Sequence, residues 1–179
     1  MLTRQCRRSM PPATVSGRGR DQRAAGRRHP LNRPYRPGAV MNCRDIAQAF
    51  FDRYRQHDIE GMLALFAPDA TIDYVPIAAT GAAAVQGAAI WTALTDAFPD
   101  LSNEIDAIHA DGAGRHATVE VTIRGTQAQD FLGIRHRGKS FSLRHAFVFE
   151  FDADARITRL TAYWDNVKLF EDLGKTTLG

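Results

Sequence analysis

The most regular pattern in the chain is the alternation of apolar and polar positions across residues 140–165. His145, Phe147, Phe149 and Phe151 alternate with Arg144, Ala146, Val148 and Glu150. Further on, Leu160, Ala162 and Trp164 alternate with Arg159, Thr161, Tyr163 and Asp165. Period-two patterning rich in β-branched and aromatic residues predicts two strands sharing one apolar face. Asp152-Ala153-Asp154-Ala155 between them predicts a tight turn. A hairpin this long needs a second layer over its aromatic face.

The upstream chain reads as that cover. Asn42, with Asp45 three residues on, reads as the N-cap of a helix whose Ile46, Phe50 and Tyr54 share one stripe. His57-Asp58 breaks it, and Asp58 caps a second, shorter helix carrying Ile59, Met62, Leu63 and Phe66, which Pro68 is expected to stop. A short strand follows over 71–75, with Asp73 and Tyr74 on opposite faces. Residues 76–89 are small, and read as a flexible crossing loop into a third helix over 88–98. Strands over 101–109 and 116–126 flank a turn at Asp111-Gly112-Ala113-Gly114. A connection over 127–139 leads to the aromatic hairpin, and a closing helix over 167–173 ends at Gly174. Helix, helix, strand, helix and four antiparallel strands make an α+β fold, with the helices on one side of a curved mixed sheet.

Charge divides the chain in two. Residues 1–40 hold ten arginines against one acid, Asp21, with five prolines and almost no large apolar side chains. Such a segment cannot bury enough surface to offset its ordering entropy and is expected to be disordered. It reads as an extension ahead of a working start at Met41, with a basic arm or an organelle transit segment as the alternatives. Residues 41–179, the expected folded domain, hold 13 Lys and Arg against 19 Asp and Glu, so nucleic acid is not an expected partner. No run of eighteen apolar residues is present, so no membrane association is expected. Two cysteines, Cys6 and Cys43, argue against a disulfide framework and for a reducing compartment, read as cytoplasmic.

Several short runs then carry a resemblance. Asp58, Leu65-Phe66-Ala67-Pro68-Asp69-Ala70-Thr71, Gly87, Phe98-Pro99-Asp100, Gly125-Thr126, Phe131-Leu132-Gly133, Gly138-Lys139, Tyr163-Trp164-Asp165 and Asp172-Leu173-Gly174, in this order, resemble SnoaL-like proteins. These belong to the nuclear transport factor 2-like superfamily, with polyketide cyclases, ketosteroid isomerases and limonene epoxide hydrolases among its enzymes. The resemblance covers essentially all of 41–179. It implies a cone of curved sheet wrapped around the first helix, a pocket at the open end, and a homodimer through the outer sheet face. It does not imply a reaction, because the fold hosts enzymes and binding modules alike.

The family's catalytic groups do not carry over. The isomerase tyrosine falls at Phe50, its base at Tyr74 and its second donor near Phe147. The epoxide hydrolase Arg-x-Asp pair falls at Glu120-Val121-Thr122, and the last-strand aspartate of hydrolases and cyclases falls at Ala162, whose methyl cannot move a proton. What remains is His145 on the aromatic face as a candidate base, Tyr74 as a candidate donor, and Asp73, which reaches the pocket only if its strand shifts register by one. Asp165 suits N-cap duty, and Arg135-His136-Arg137-Gly138-Lys139 reads as a solvated loop. Phe50, Tyr54, Trp91, Phe147, Phe149, Leu160, Ala162 and Trp164 are expected to wall a pocket for a small apolar molecule. The histidines show no metal-ligand spacing and there is no phosphate-binding glycine loop, so neither metal nor cofactor is expected. Two readings stand: an acid/base enzyme (isomerase, cyclase or hydrolase) on an apolar carbonyl compound, or a ligand-binding or dimerisation module without turnover.

Overall fold

Asn42 starts the first helix as expected, its side-chain oxygen accepting the Asp45 N–H at 3.1 Å. The computed structural model describes residues 42–175, so the expectations for residues 1–40 lie outside the described residues. Helix α1 (Cys43–Arg55) buries Ile46, Phe50 and Tyr54 together with Ala47 and Phe51. Its end is turned by His57 at φ 57°, and Asp58 caps α2 (Ile59–Leu63) by accepting the Gly61 N–H at 2.8 Å.

Two expectations are corrected beyond this point. The second helix stops at Leu63, and Phe66 and Pro68 belong to strand β1 (Phe66–Tyr74). Pro68 does not terminate the helix. It sits where pairing with the neighbouring strand lapses, between the Phe66–Ile157 and Thr71–Arg159 partners, so its missing N–H costs no ladder hydrogen bond. Residues 76–89 are likewise not an open loop. A 3₁₀ turn (Val75–Ile77) leads to β2 (Ala79–Ala82), antiparallel to β1, and a π-turn (Ala83–Gly87) runs directly into α3 (Ala88–Ala97). Alanine, threonine and glycine carry too little contrast in hydrophobicity for an alternation to show.

The later elements match the reading closely: β3 (Ser102–Ala110), β4 (His116–Thr126), β5 (Ser140–Phe151), β6 (Ile157–Trp164) and α4 (Asn166–Leu173). Asp152 Oδ1 accepts the N–H groups of Asp154 and Arg156 and so shapes the hairpin turn. Asp165 is the N-cap of α4, accepting from Lys168 N at 3.0 Å, and Gly174 at φ 85° ends it. The sheet order is β2-β1-β6-β5-β4-β3, with β1–β6 parallel and every other pair antiparallel. This is a mixed, curved, unclosed sheet with helices on its concave side, as the α+β cone requires.

The helix and the sheet meet through aromatic rings. Phe50 is fully buried, and its centroid lies 5.4 Å from Phe149, 6.4 Å from Phe147, 5.7 Å from Trp91 and 6.1 Å from Phe66. Phe51 stands edge-on to Phe147 at 5.1 Å. Offset and edge-to-face pairs of this kind add to the area that they bury. Removing the Phe50 ring leaves a cavity that rigid neighbours on three elements cannot fill. Phe50→Ala is therefore expected to lose about 3–5 kcal/mol of unfolding free energy in urea denaturation, and Phe50→Leu clearly less.

Candidate active site

The period-two face of β5 divides the cone. Phe149 and Phe151 point into the closed end, where Phe50 and Phe51 fill the space. Phe141, Leu143, His145 and Phe147 point toward the other end, where packing leaves a cavity. Its wall is completed by Tyr54 of α1, Tyr74 of β1, Ile90 and Leu94 of α3, Ile123 of β4, Trp164 of β6 and Leu169 of α4. Phe131 and Leu132 of the 127–139 connection stand over it, with Phe131 held against Phe98 at 5.3 Å. The cavity has a volume of about 50 Å³. That is small beside the roughly 300–1,000 Å³ of ordinary ligand pockets.

Every lining residue is apolar except Tyr54, Tyr74, His145 and the indole N–H of Trp164. Trp164 Nε1–H donates to Asn166 Oδ1 at 3.3 Å, and Asn166 Nδ2–H donates to the Pro76 carbonyl at 3.1 Å. These bonds tie the start of α4 to the 3₁₀ turn beside the cavity. His145 is half-buried between Phe147 (5.9 Å, stacked) and Trp164 (5.5 Å). Its Nδ1 lies 3.0 Å from the Leu143 carbonyl oxygen. A carbonyl can only accept, so Nδ1 carries the proton and the neutral ring presents Nε2 as a bare acceptor. Burial drives its pKa down to about 4, against the smaller opposing effect of the Leu143 carbonyl.

Tyr74 is buried, and its hydroxyl oxygen accepts the Trp91 indole N–H at 2.6 Å. Because the indole can only donate, the phenolic proton is left to donate elsewhere. Burial raises the Tyr74 pKa and the Trp91 bond lowers it, the first prevailing. Tyr54 is held protonated by burial and then by the nearby Tyr74. At neutral pH the cavity thus offers one acceptor nitrogen and hydroxyl donors, and no formal charge.

The expected site residues separate accordingly. His145, Tyr74, Tyr54, Phe147 and Trp164 meet at the cavity. Asp73 does not: β1 keeps the register that sends Tyr74 inward, and the Asp73 carboxylate lies 3.7 Å from Arg159, on the side opposite Tyr74. Phe50, Phe149 and Leu160 are fully buried in the packed core behind the cavity, and Ala162, between the wall residues Tyr74 and Phe147, is fully buried with a side chain too short to join the wall. Trp91 is also behind it, reaching it only through Tyr74. Leu143 and Phe141 were legible by extending the β5 alternation four residues back from His145, and Ile123 stands opposite Leu143 on the neighbouring strand. Nothing in the sequence marks Phe131, Leu132 or Leu169 as wall residues. Glu120 bonds Arg144 at 3.0 Å on the outer face of the sheet, away from the cavity. Among the described residues no three His, Cys, Asp or Glu side chains converge in a metal-binding group.

The family model described as a SnoaL-like domain matches residues 47–160, well over half of the chain. The chain belongs to the SnoaL-like domain family. Solved structures of similar fold include IdmH, a candidate polyketide cyclase from Streptomyces antibioticus, with 20% identity and a TM-score of 0.65 over 75% of this chain and 99% of that one. A candidate polyketide cyclase from Pseudomonas putida matches at 19% identity and a TM-score of 0.65, over 74% and 98% of the two chains. SalBIII, an epoxide hydrolase/cyclase-like enzyme of pyran ring formation in salinomycin, matches at 15% and 0.59, over 70% and 92%. At these identities the likeness is one of fold. No curated protein matches the sequence. Within the SnoaL-like fold this chain thus carries a histidine and two tyrosines on its cavity wall and a methyl at Ala162.

The His145 environment has a consequence for stability. Its folded pKa, about 4, lies below the unfolded value near 6.5, so the unfolded chain binds the extra proton between these values. The stabilisation is complete above pH 6.5 and is lost as pH falls toward 4, by on the order of 2–3 kcal/mol. Urea titrations from pH 7.5 to 4 are expected to show this slope, and His145→Phe is expected to flatten it. Asp100, held low chiefly by the Thr126 N–H, titrates below that window.

Proposed function

We propose that this SnoaL-like chain is a small enzyme that performs acid/base chemistry on a neutral, apolar, carbonyl-bearing metabolite, as an isomerase, cyclase or hydrolase working with its own side chains. The observation that carries this reading is the pairing, on one apolar wall, of a bare histidine nitrogen and a tyrosine hydroxyl with its proton to give. In the proposed reaction Nε2 of His145 takes a proton from the carbon beside the carbonyl. The electron pair moves onto the carbonyl oxygen, and the Tyr74 O–H donates a hydrogen bond to that oxygen. Returning the proton to a different carbon completes an isomerisation. Attack of the carbanion on a second carbonyl, with the proton passed to the new alkoxide, completes a ring closure. A base of pKa about 4 is weak, yet ketosteroid isomerases enolise with a carboxylate of similar strength when the oxyanion is held in a dry site.

A second reading, a ligand-binding or dimerisation module without turnover, is favoured by the small free volume and by the methyl at Ala162. As part of the same proposal the protein is a cytoplasmic homodimer. The outer face of β5 and β6 supports the dimer: Ala146, Val148 and the 46%-exposed Tyr163 lie beside the buried Thr161, between the Arg144–Glu120 and Arg159–Asp73 ion pairs. Such a patch is suited to the self-complementary contact of a two-fold dimer.

The test is incubation with a mixed library of lipophilic ketones, lactones and epoxides, reading retained mass and product. Wild type is expected to form product, His145→Gln to lower kcat/KM by about 10²–10⁴, and Tyr74→Phe by about 10²–10³. Since only the neutral imidazole is competent, kcat/KM is expected to fall on the acid side with an apparent pKa near 4 and to stay flat through neutrality. Retained ligand with no product, unchanged by His145→Gln, selects the binding module instead. Light scattering is expected to give twice the chain mass, and Tyr163→Glu to give the single mass.

A further inference from the structure

Tyr74 does not set its own orientation. We infer that Trp91 is a positioning residue for the site: its indole N–H occupies one lone pair of the Tyr74 oxygen from the protein side, so that the phenolic O–H is delivered to the cavity. The inference rests on the proposed reading of Tyr74 as the donor to the ligand's carbonyl.

Three observations carry it. The Trp91 Nε1 to Tyr74 oxygen distance of 2.6 Å is short for a bond between neutral groups, and both side chains are buried, so water does not compete for either. Trp91 is absent from the cavity wall while Tyr74 is on it, so the indole approaches the oxygen from behind. The indole has little room to leave this position. Phe50 and Phe66 each lie 5.7 Å from it, and a Cβ at Gly87 would come within 2.9 Å of Trp91 Cη2. Gly87 has φ −63°, which any residue adopts, so glycine is required there for space and not for backbone conformation. The π-turn that ends at Gly87 runs directly into α3, one turn ahead of Trp91. A phenol that already accepts a hydrogen bond has one preferred outlet for its proton, and that outlet here is the cavity. Without the indole the hydroxyl is free to rotate, and its oxygen is left without a partner.

The test uses the full chain and cyclopentanone as probe, following the carbonyl stretch by infrared difference spectroscopy. In parallel, ultraviolet resonance Raman follows the indole N–H band in the unliganded protein. Wild type is expected to shift the stretch to lower frequency, and Tyr74→Phe to abolish the shift and release the indole band to its unbonded position. Trp91→Phe is expected to lose most of the carbonyl shift and to bind the ketone about five- to tenfold more weakly. Replacement of Trp91 by β-(3-benzothienyl)alanine, which keeps the two-ring shape and lacks the N–H, is expected to do the same at wild-type stability and decides the matter should Trp91→Phe not fold. Gly87→Ala is expected to reproduce part of the loss by displacing the indole. A full carbonyl shift in the benzothienyl protein, with loss in Tyr74→Phe, overturns the inference and leaves the donor role of Tyr74 intact. An unchanged shift in Tyr74→Phe, or no shift in wild type, overturns that donor role and the inference with it.

Discussion

The structure depends on the contact between the Phe50 and Phe51 edges of α1 and the aromatic face of β5. The five rings of Phe50, Phe51, Phe147, Phe149 and Trp91 fix how far the helix stands from the sheet, and rings do not compress. Once that distance is set by large side chains at one end, the other end is held open to the same extent. The wall there combines the aliphatic Leu143, Ile123, Ile90 and Leu94 with the rings of Tyr54, Tyr74, Phe141 and Trp164. The cavity is the space left beyond the Phe50–Phe149 contact, and Phe147, which meets Phe51 and also lines the cavity, belongs to both regions.

This division explains which parts of the site were legible in the sequence. Alternation identified the inward face of β5 and β6, and helical spacing identified the Phe50 stripe, so His145, Phe147, Trp164 and Tyr54 were correctly assigned to the interior. Periodicity reports which face a side chain occupies. It does not report how far along the cone the packing remains solid, and for that reason Phe149 and Leu160 were expected on the pocket wall yet lie in the core. The same limit applies to Phe131 and Leu132. Their place over the cavity depends on the isolated Phe131–Ile134 bridge, whose turn holds Leu132 at φ 48° and Gly133 at φ 70°, and no hydrophobic period encodes that.

The segment 66–87 departs from its sequence pattern for a different reason. Pro68 is a strong signal to end a helix, but here the helix had already ended at Leu63 and the proline marks a lapse in strand pairing instead. Ala79–Ala82 has the geometry of a strand without the composition of one, because its partner β1 supplies the hydrogen bonds and the core asks for little side-chain volume there. This edge matters for the site. The β1–β2 pairing, together with the parallel β1–β6 pairing, fixes the register of Tyr74 and sends Asp73 to the other face.

Register also bears on why a methyl at Ala162 is compatible with a polar site. Tyr74, Ala162 and Phe147 form one row across β1, β6 and β5, with Ala162 in the middle. The next row toward the open end pairs Trp164 with His145. An acidic side chain at the central position would stand between two aromatic rings and need a counter-charge, and the wall supplies none. With alanine there, the polar groups move to the neighbouring strands, and both are neutral at physiological pH: an imidazole kept unprotonated by burial and a phenol kept protonated by it. A charged ligand would lose its hydration on entry and meet no opposite charge, whereas a ketone meets a donor and an enol meets an acceptor. On the proposed reading, selectivity for uncharged molecules therefore follows from the same burial that sets the protonation states of His145 and Tyr74.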